Sequence, residues 1–178
     1  MALVNGIDLV EQCAAERLVA GAFNTTNLET TMGIVEAIER VGVPAFIQVA
    51  PTNVKLSGYD YIFDMVSRRL ADCPVPVALH LDHGKTLDSV EAALAAGFTS
   101  VMIDASEEPF AENIRISAIA RGMCPPGVAL EAELGSIGGK EDEVGPEHAS
   151  TTDPAQVAEI VDRVRPDMLA VSAGNVHG

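Results

Sequence analysis

The most constraining feature of this sequence is a six-fold alternation. Short apolar runs over 18–23, 44–49, 76–84, 99–103, 128–132 and 168–173 are separated by segments with helical spacing. The spacing predicts helices over 7–17, 27–41, 59–71, 86–96, 110–121 and 153–165, with Gly42, Gly97 and Gly122 as stops. Thr86 or Asp88 starts the fourth of these, and Pro154 follows an Asp153 cap. Strand and helix in strict alternation predict a parallel sheet built from βα units. Each run also leads to a polar residue at its C-terminal end: Asn24, Gln48, Asp82 with His83, Asp104, Glu133 and His177. In an open doubly wound sheet only the strands beside the switch point need carry chemistry there. In a barrel all strand ends converge on one centre. Six polar ends out of six favour the barrel.

A (β/α)8 barrel takes roughly 250 residues, and the chain has 178. The expectation is a single TIM-barrel domain over residues 1–178 that supplies about the first six βα units, the last third being absent. Hydrophobic residues make up 48% and aromatics 4%, with no Trp. That composition suits a core of Val, Ile, Leu and Ala rather than an aromatic stacking surface.

The stretch Pro76-Val77-Ala78-Leu79-His80-Leu81-Asp82-His83-Gly84 carries the densest chemistry. Burying three ionisable groups without partners costs several kcal/mol. The economical reading is a metal or proton-transfer site, weighed against a satisfied hydrogen-bond network without a ligand. Residues 80 and 82 share one face of the strand, and His83 aims over its end. No lysine is read at the end of an apolar run, neither Lys55, Lys85 nor Lys140, so no Schiff-base nucleophile is expected.

The net charge of −15 argues against a nucleic-acid-binding surface, there being 11 basic residues against 26 acidic ones. No apolar run reaches the roughly 20 residues of a membrane span, and the N-terminus lacks the pattern of a signal peptide. The three scattered cysteines, Cys13, Cys73 and Cys124, fit a reducing, cytoplasmic setting.

Several strand ends, taken in order, form a recognisable set. They are Ala22-Phe23-Asn24, His80-Leu81-Asp82-His83-Gly84, Val101-Met102-Ile103-Asp104, Leu130-Glu131-Ala132-Glu133-Leu134-Gly135 with Gly138-Gly139-Lys140-Glu141-Asp142, and Gly174-Asn175-Val176-His177-Gly178. The set resembles the class II, metal-dependent ketose-bisphosphate aldolases, over essentially the whole chain. The resemblance implies a (β/α)8 barrel and Zn2+ held by histidines, of which His83 and His177 match two. The third belongs to a His-Gly-Gly-Ser-Gly stretch that this sequence does not contain. Asp104 and Glu133 match carboxylates near the metal, for a second divalent or monovalent cation or an alternative zinc position. Asp82 matches the residue that exchanges a proton with the substrate, and Glu141 the mobile acid–base at the enediol carbon. Asn24, Gln48 and Gly178 are implied substrate-binding positions, the last through its amide to a phosphate. His80 matches no ligand position and is assigned a supporting role, and His148 a loop.

The implied reaction is reversible cleavage of a ketose bisphosphate of the fructose 1,6-bisphosphate type to dihydroxyacetone phosphate and an aldehyde such as glyceraldehyde 3-phosphate. Its partner is a small phosphorylated sugar, and the family implies a homodimer or homotetramer. One departure is Ala50, where the family commonly has a serine that touches substrate; this leaves tagatose bisphosphate or another ketose phosphate as the alternative. Two competing readings remain, a metal-dependent barrel hydrolase and a non-catalytic fragment. Leu18–Asn24 lacks the His-x-His of the former.

Overall fold

The computed structural model describes residues 3–55, 57–136 and 150–174. Six strands form one parallel sheet in the order β1-β2-β3-β4-β5-β6. They are β1 (Gly21–Asn24), β2 (Ala45–Val49), β3 (Val77–Gly84), β4 (Ser100–Ile103), β5 (Ala129–Leu134) and β6 (Met168–Val171). The helices are α1 (Gly6–Ala15), α2 (Leu28–Val41), α3 (Pro51–Val54), α4 (Tyr59–Arg69), α5 (Leu87–Ala96), α6 (Phe110–Met123) and α7 (Pro154–Val164). Spatial order equals chain order, with no reversal. That is the topology of the first six units of a (β/α)8 barrel and not of a doubly wound sheet.

Strand parity makes two cores. One face of the sheet presents Ile47, Val49, Leu79, Leu81, Val101, Ile103, Leu130 and Leu134 to the helices, where Val35, Ile62, Val66, Val90, Ala93, Ile114 and Ile160 cover them. The opposite parity points into the barrel. There Phe46 and Ala78 pack against Leu9 and Cys13 of α1. The α1 helix lies below β3, joined by a Leu3–Val77 bridge, so it closes the N-terminal end of the barrel. Gly6 permits this approach: a Cβ there would stand 2.7 Å from Ser100 Oγ.

Helix starts follow local chemistry. Asn5, Asn27, Thr86 and Asp153 are side-chain N-caps, with full capping boxes at Asn27 and Thr86. The first strand is shorter than the run over 18–23, beginning at Gly21 opposite Ala45. The fifth continues past Ala132, so Glu133 lies inside β5. The α3 turn was not legible in the sequence. Gly122 does not stop α6, which ends at Cys124 with φ −71° and ψ 120°. Pro125 follows, and a residue before proline is driven out of the helical region. Glycine permits a stop there without imposing one.

Among the described residues β1 and β6 each pair on one side only. A groove of about 420 Å3 lined by Val19, Phe23, Ile34, Ile38 and Val41 runs along the open side of β1.

Candidate active site

The site is made by an irregularity in β3. Leu81 pairs with Val101 but Gly84 pairs with Ile103, so one extra residue is inserted between them. His83 absorbs the insertion with a left-handed φ of +48°, uncommon for a residue with a Cβ. In a regular strand Asp82 and His83 point to opposite faces. The bulge allows both neighbours to serve the barrel mouth. Gly84 is required beside it, because a Cβ there would collide with the Met102 carbonyl oxygen and the Leu81 side chain.

Asp82 is held from two strands. Asn24 Nδ2 donates to its Oδ2 at 2.8 Å and Gln48 Nε2 to its Oδ1 at 3.2 Å. Both amides, read in the sequence as substrate-binding, thus lie against the carboxylate read as the proton carrier.

On the other side of the bulge, His83 Nδ1 lies 2.9 Å from Asp104 Oδ2 and 3.6 Å from Glu133 Oε2. One ligand atom from each of the three lies within 4.8 Å of the others. An imidazole and two buried carboxylates form a donor set suited to a divalent cation such as Zn2+, so the residues present fit a metal. Asp104 is 4% exposed. Burial works to raise its pKa, but hydrogen bonds from His83, Lys85 and Ser106 win and hold the carboxyl well below its usual range. Ser106 caps Asp104 Oδ1 through its backbone N–H at 3.0 Å and its hydroxyl at 2.7 Å.

Beneath this layer, the buried His80 ring meets Ser100 Oγ at 2.8 Å through Nδ1 and packs edge-on against Phe46. Its Nε2 lies 3.6 Å from Glu131 Oε2 and has no hydrogen-bond partner among the described residues. Burial pushes His80 down to about 4, opposed by the Asp82 charge and aided by His83. Burial pushes Glu131 up to about 7, helped by Asp82 and opposed by His83. At neutral pH His80 is uncharged, so the contact is a packed pair and not a salt bridge.

One expectation needs amending. Lys85 directly follows the last residue of β3, contrary to the reading that no lysine ends an apolar strand. Its Nζ lies 2.6 Å from Asp104 Oδ2 and 3.2 Å from Glu107 Oε1. The strand ends at Gly84, where the sequence run also ended, and the ammonium of the next residue turns to the Asp104 carboxylate. Ser106, Ser100 and Glu131 were also not singled out, although Glu131 shares strand parity with Glu133. The residues Glu141, His148, His177 and Gly178 lie outside the described residues.

A family model, fructose-bisphosphate aldolase class-II, matches residues 4–178. The chain belongs to this family. It is 40% identical over 182 aligned positions to a fructose-bisphosphate aldolase from Geobacillus stearothermophilus and 37% to one from Staphylococcus epidermidis. The alignments take in all of this chain and 63% and 64% of those proteins, so the chain spans less than two thirds of their length. The solved YdjI aldolase from Escherichia coli K12 superposes with a TM-score of 0.86 at 31% identity, over 98% of this chain and 64% of that one. Fructose-bisphosphate aldolase from Campylobacter jejuni gives a TM-score of 0.81 at 26% identity, over 99% and 59%. These likenesses agree with six units of an aldolase barrel. No helix among the described residues is long and apolar enough to cross a membrane.

Proposed function

We propose that this chain carries the metal-binding and proton-transfer side of a class II aldolase. The reaction is reversible cleavage of a ketose bisphosphate of the fructose 1,6-bisphosphate type to dihydroxyacetone phosphate and glyceraldehyde 3-phosphate. The observation that carries the reading is the β3 bulge, which sets an amide-held carboxylate, Asp82, beside a metal-competent trio, His83, Asp104 and Glu133. Family membership supports it. The single-domain reading of 1–178, a cytoplasmic location and a homodimeric or homotetrameric assembly belong to the same proposal.

His83, Asp104 and Glu133, with His177, would hold a Zn2+ ion, which would supply Lewis-acid stabilisation of charge developing on the ketone oxygen. The remaining chemistry falls to side chains. The Asn24 and Gln48 amides hold the Asp82 carboxylate with both oxygens engaged, so it meets the substrate hydroxyl in one orientation. Asp82 takes the hydroxyl proton as the carbon–carbon bond breaks, leaving the aldehyde, and returns it in the aldol direction. Glu141 is assigned the second proton transfer, at the enediol carbon, and the Gly178 amide a substrate phosphate. Asn24 and Gln48 can also meet substrate through their remaining N–H groups. Ala50 offers no hydroxyl, which keeps tagatose bisphosphate as the alternative substrate.

The test is zinc content per chain together with cleavage of both bisphosphates, with and without EDTA. Zinc-dependent cleavage is expected. Cleavage that resists EDTA would sink the metal mechanism, and zinc binding without cleavage of any ketose bisphosphate would favour the non-catalytic reading.

A further inference from the structure

We propose that Lys85 is a tethered counter-cation that competes with a bound divalent metal for Asp104, so that one side chain sets the metal affinity of the site. The inference rests on the metal reading of His83, Asp104 and Glu133 given above. It goes beyond that reading by assigning a role to a residue outside the donor set.

The geometry makes the competition direct. Lys85 Nζ is 2.6 Å from Asp104 Oδ2, the same oxygen that lies 2.9 Å from His83 Nδ1. That oxygen faces the cluster a metal would occupy. Asp104 cannot offer its other oxygen instead, since Oδ1 is held by the Ser106 N–H and hydroxyl. A divalent cation reaching Asp104 therefore meets an ammonium already in place, with like charges a few ångströms apart in a largely buried site.

The ammonium also has somewhere to go. Glu107 Oε1 already lies 3.2 Å from Nζ, and the Glu107 side chain is 55% exposed. Displaced from Asp104, the ammonium keeps an anionic partner at the rim. Its side chain is itself 38% exposed, so water screens part of the repulsion and the effect is smaller than for a buried pair. In the metal-free chain the same ammonium and the Ser106 bonds hold Asp104 in place, ready for a ligand.

Zinc affinity of the metal-depleted chain, measured by competition with a chelating dye, tests this without reference to turnover. Replacing Lys85 by Met or Gln should tighten zinc binding about tenfold. Arg163→Met, an equal change of charge on α7, should leave it unchanged. Glu107→Gln removes the anionic partner at the rim and should weaken zinc binding by about threefold. Equal or weaker binding in both Lys85 variants overturns the inference while leaving the metal reading standing. Should neither variant fold, Glu107→Gln decides: unchanged or tighter binding overturns the inference. Absence of stoichiometric zinc on the wild-type chain and all variants overturns the metal reading, and the inference with it.

Discussion

At His83 a single backbone angle decides which groups meet. Its left-handed φ of +48° costs a residue with a Cβ roughly 1–2 kcal/mol that glycine avoids. His83→Gly should therefore be more stable than His83→Ala by about 1 kcal/mol in urea melts, although both lose the imidazole. The sequence displayed the identities of Asp82 and His83 but not the bulge that sets them side by side, because handedness follows from strand register and not from composition. The buried pair below yields a second expectation. His80 is lowered from 6.5 to about 4, so the folded state binds fewer protons, and stability falls as pH drops from about 6.5 to about 4. Glu131 is raised from 4.5 to about 7, so stability is lost as pH rises from about 4.5 to about 7. In the intact chain these slopes oppose each other between about 4.5 and 6.5. Glu131→Gln should unmask a rise in stability from about pH 4 to 6.5, and His80→Gln a fall from about pH 4.5 to 7, each approaching about 3 kcal/mol in total. Urea midpoints across that range are the check; parallel curves for the two variants would contradict it.

Among the elements, type and order were legible while ends were not. The apolar runs identified all six strands because buried parallel strands carry little but Val, Ile, Leu and Ala. Ends depend on pairing partners and local stereochemistry, as Gly122 and Cys124 illustrate in α6. The bulge needs Gly84: Gly84→Ala drives a methyl into the Met102 carbonyl and Leu81 and should cost about 2–4 kcal/mol. Thermal melts would show this as a loss, whereas Gly33→Ala inside α2, where nothing lies within 4 Å of the added methyl, should raise stability by about 1 kcal/mol. The role of α1 was also hidden. Its apolar spacing marked a buried face, but nothing local said that Leu9 and Cys13 would lie on the inner side of the sheet against Phe46 and Ala78.

For the molecule as a whole, the site draws on five strands. Asn24 comes from β1, Gln48 from β2, Asp82 and His83 from β3, Glu133 from β5, and Asp104 follows β4. A ligand that binds across these ends should stabilise the entire sheet. Zinc at a hundred times its dissociation constant adds about 2.7 kcal/mol, and for a chain of this length that raises Tm by roughly 5–10 °C. Adding EDTA to the zinc-loaded chain should reverse the shift; a Tm indifferent to both would show that the ligands do not act together. The position of α1 sets a schedule for the chain during synthesis. It is made before every described strand, yet Leu3, just ahead of it, bridges to Val77. At about 5–20 residues per second, some 4–15 s pass before that strand is made. Until then the apolar side of α1 can meet Phe46 of β2 but not Ala78 of β3, so its seat is incomplete. The nascent chain is then open to chaperone capture at α1, and the barrel floor is laid only after three of the described strands exist.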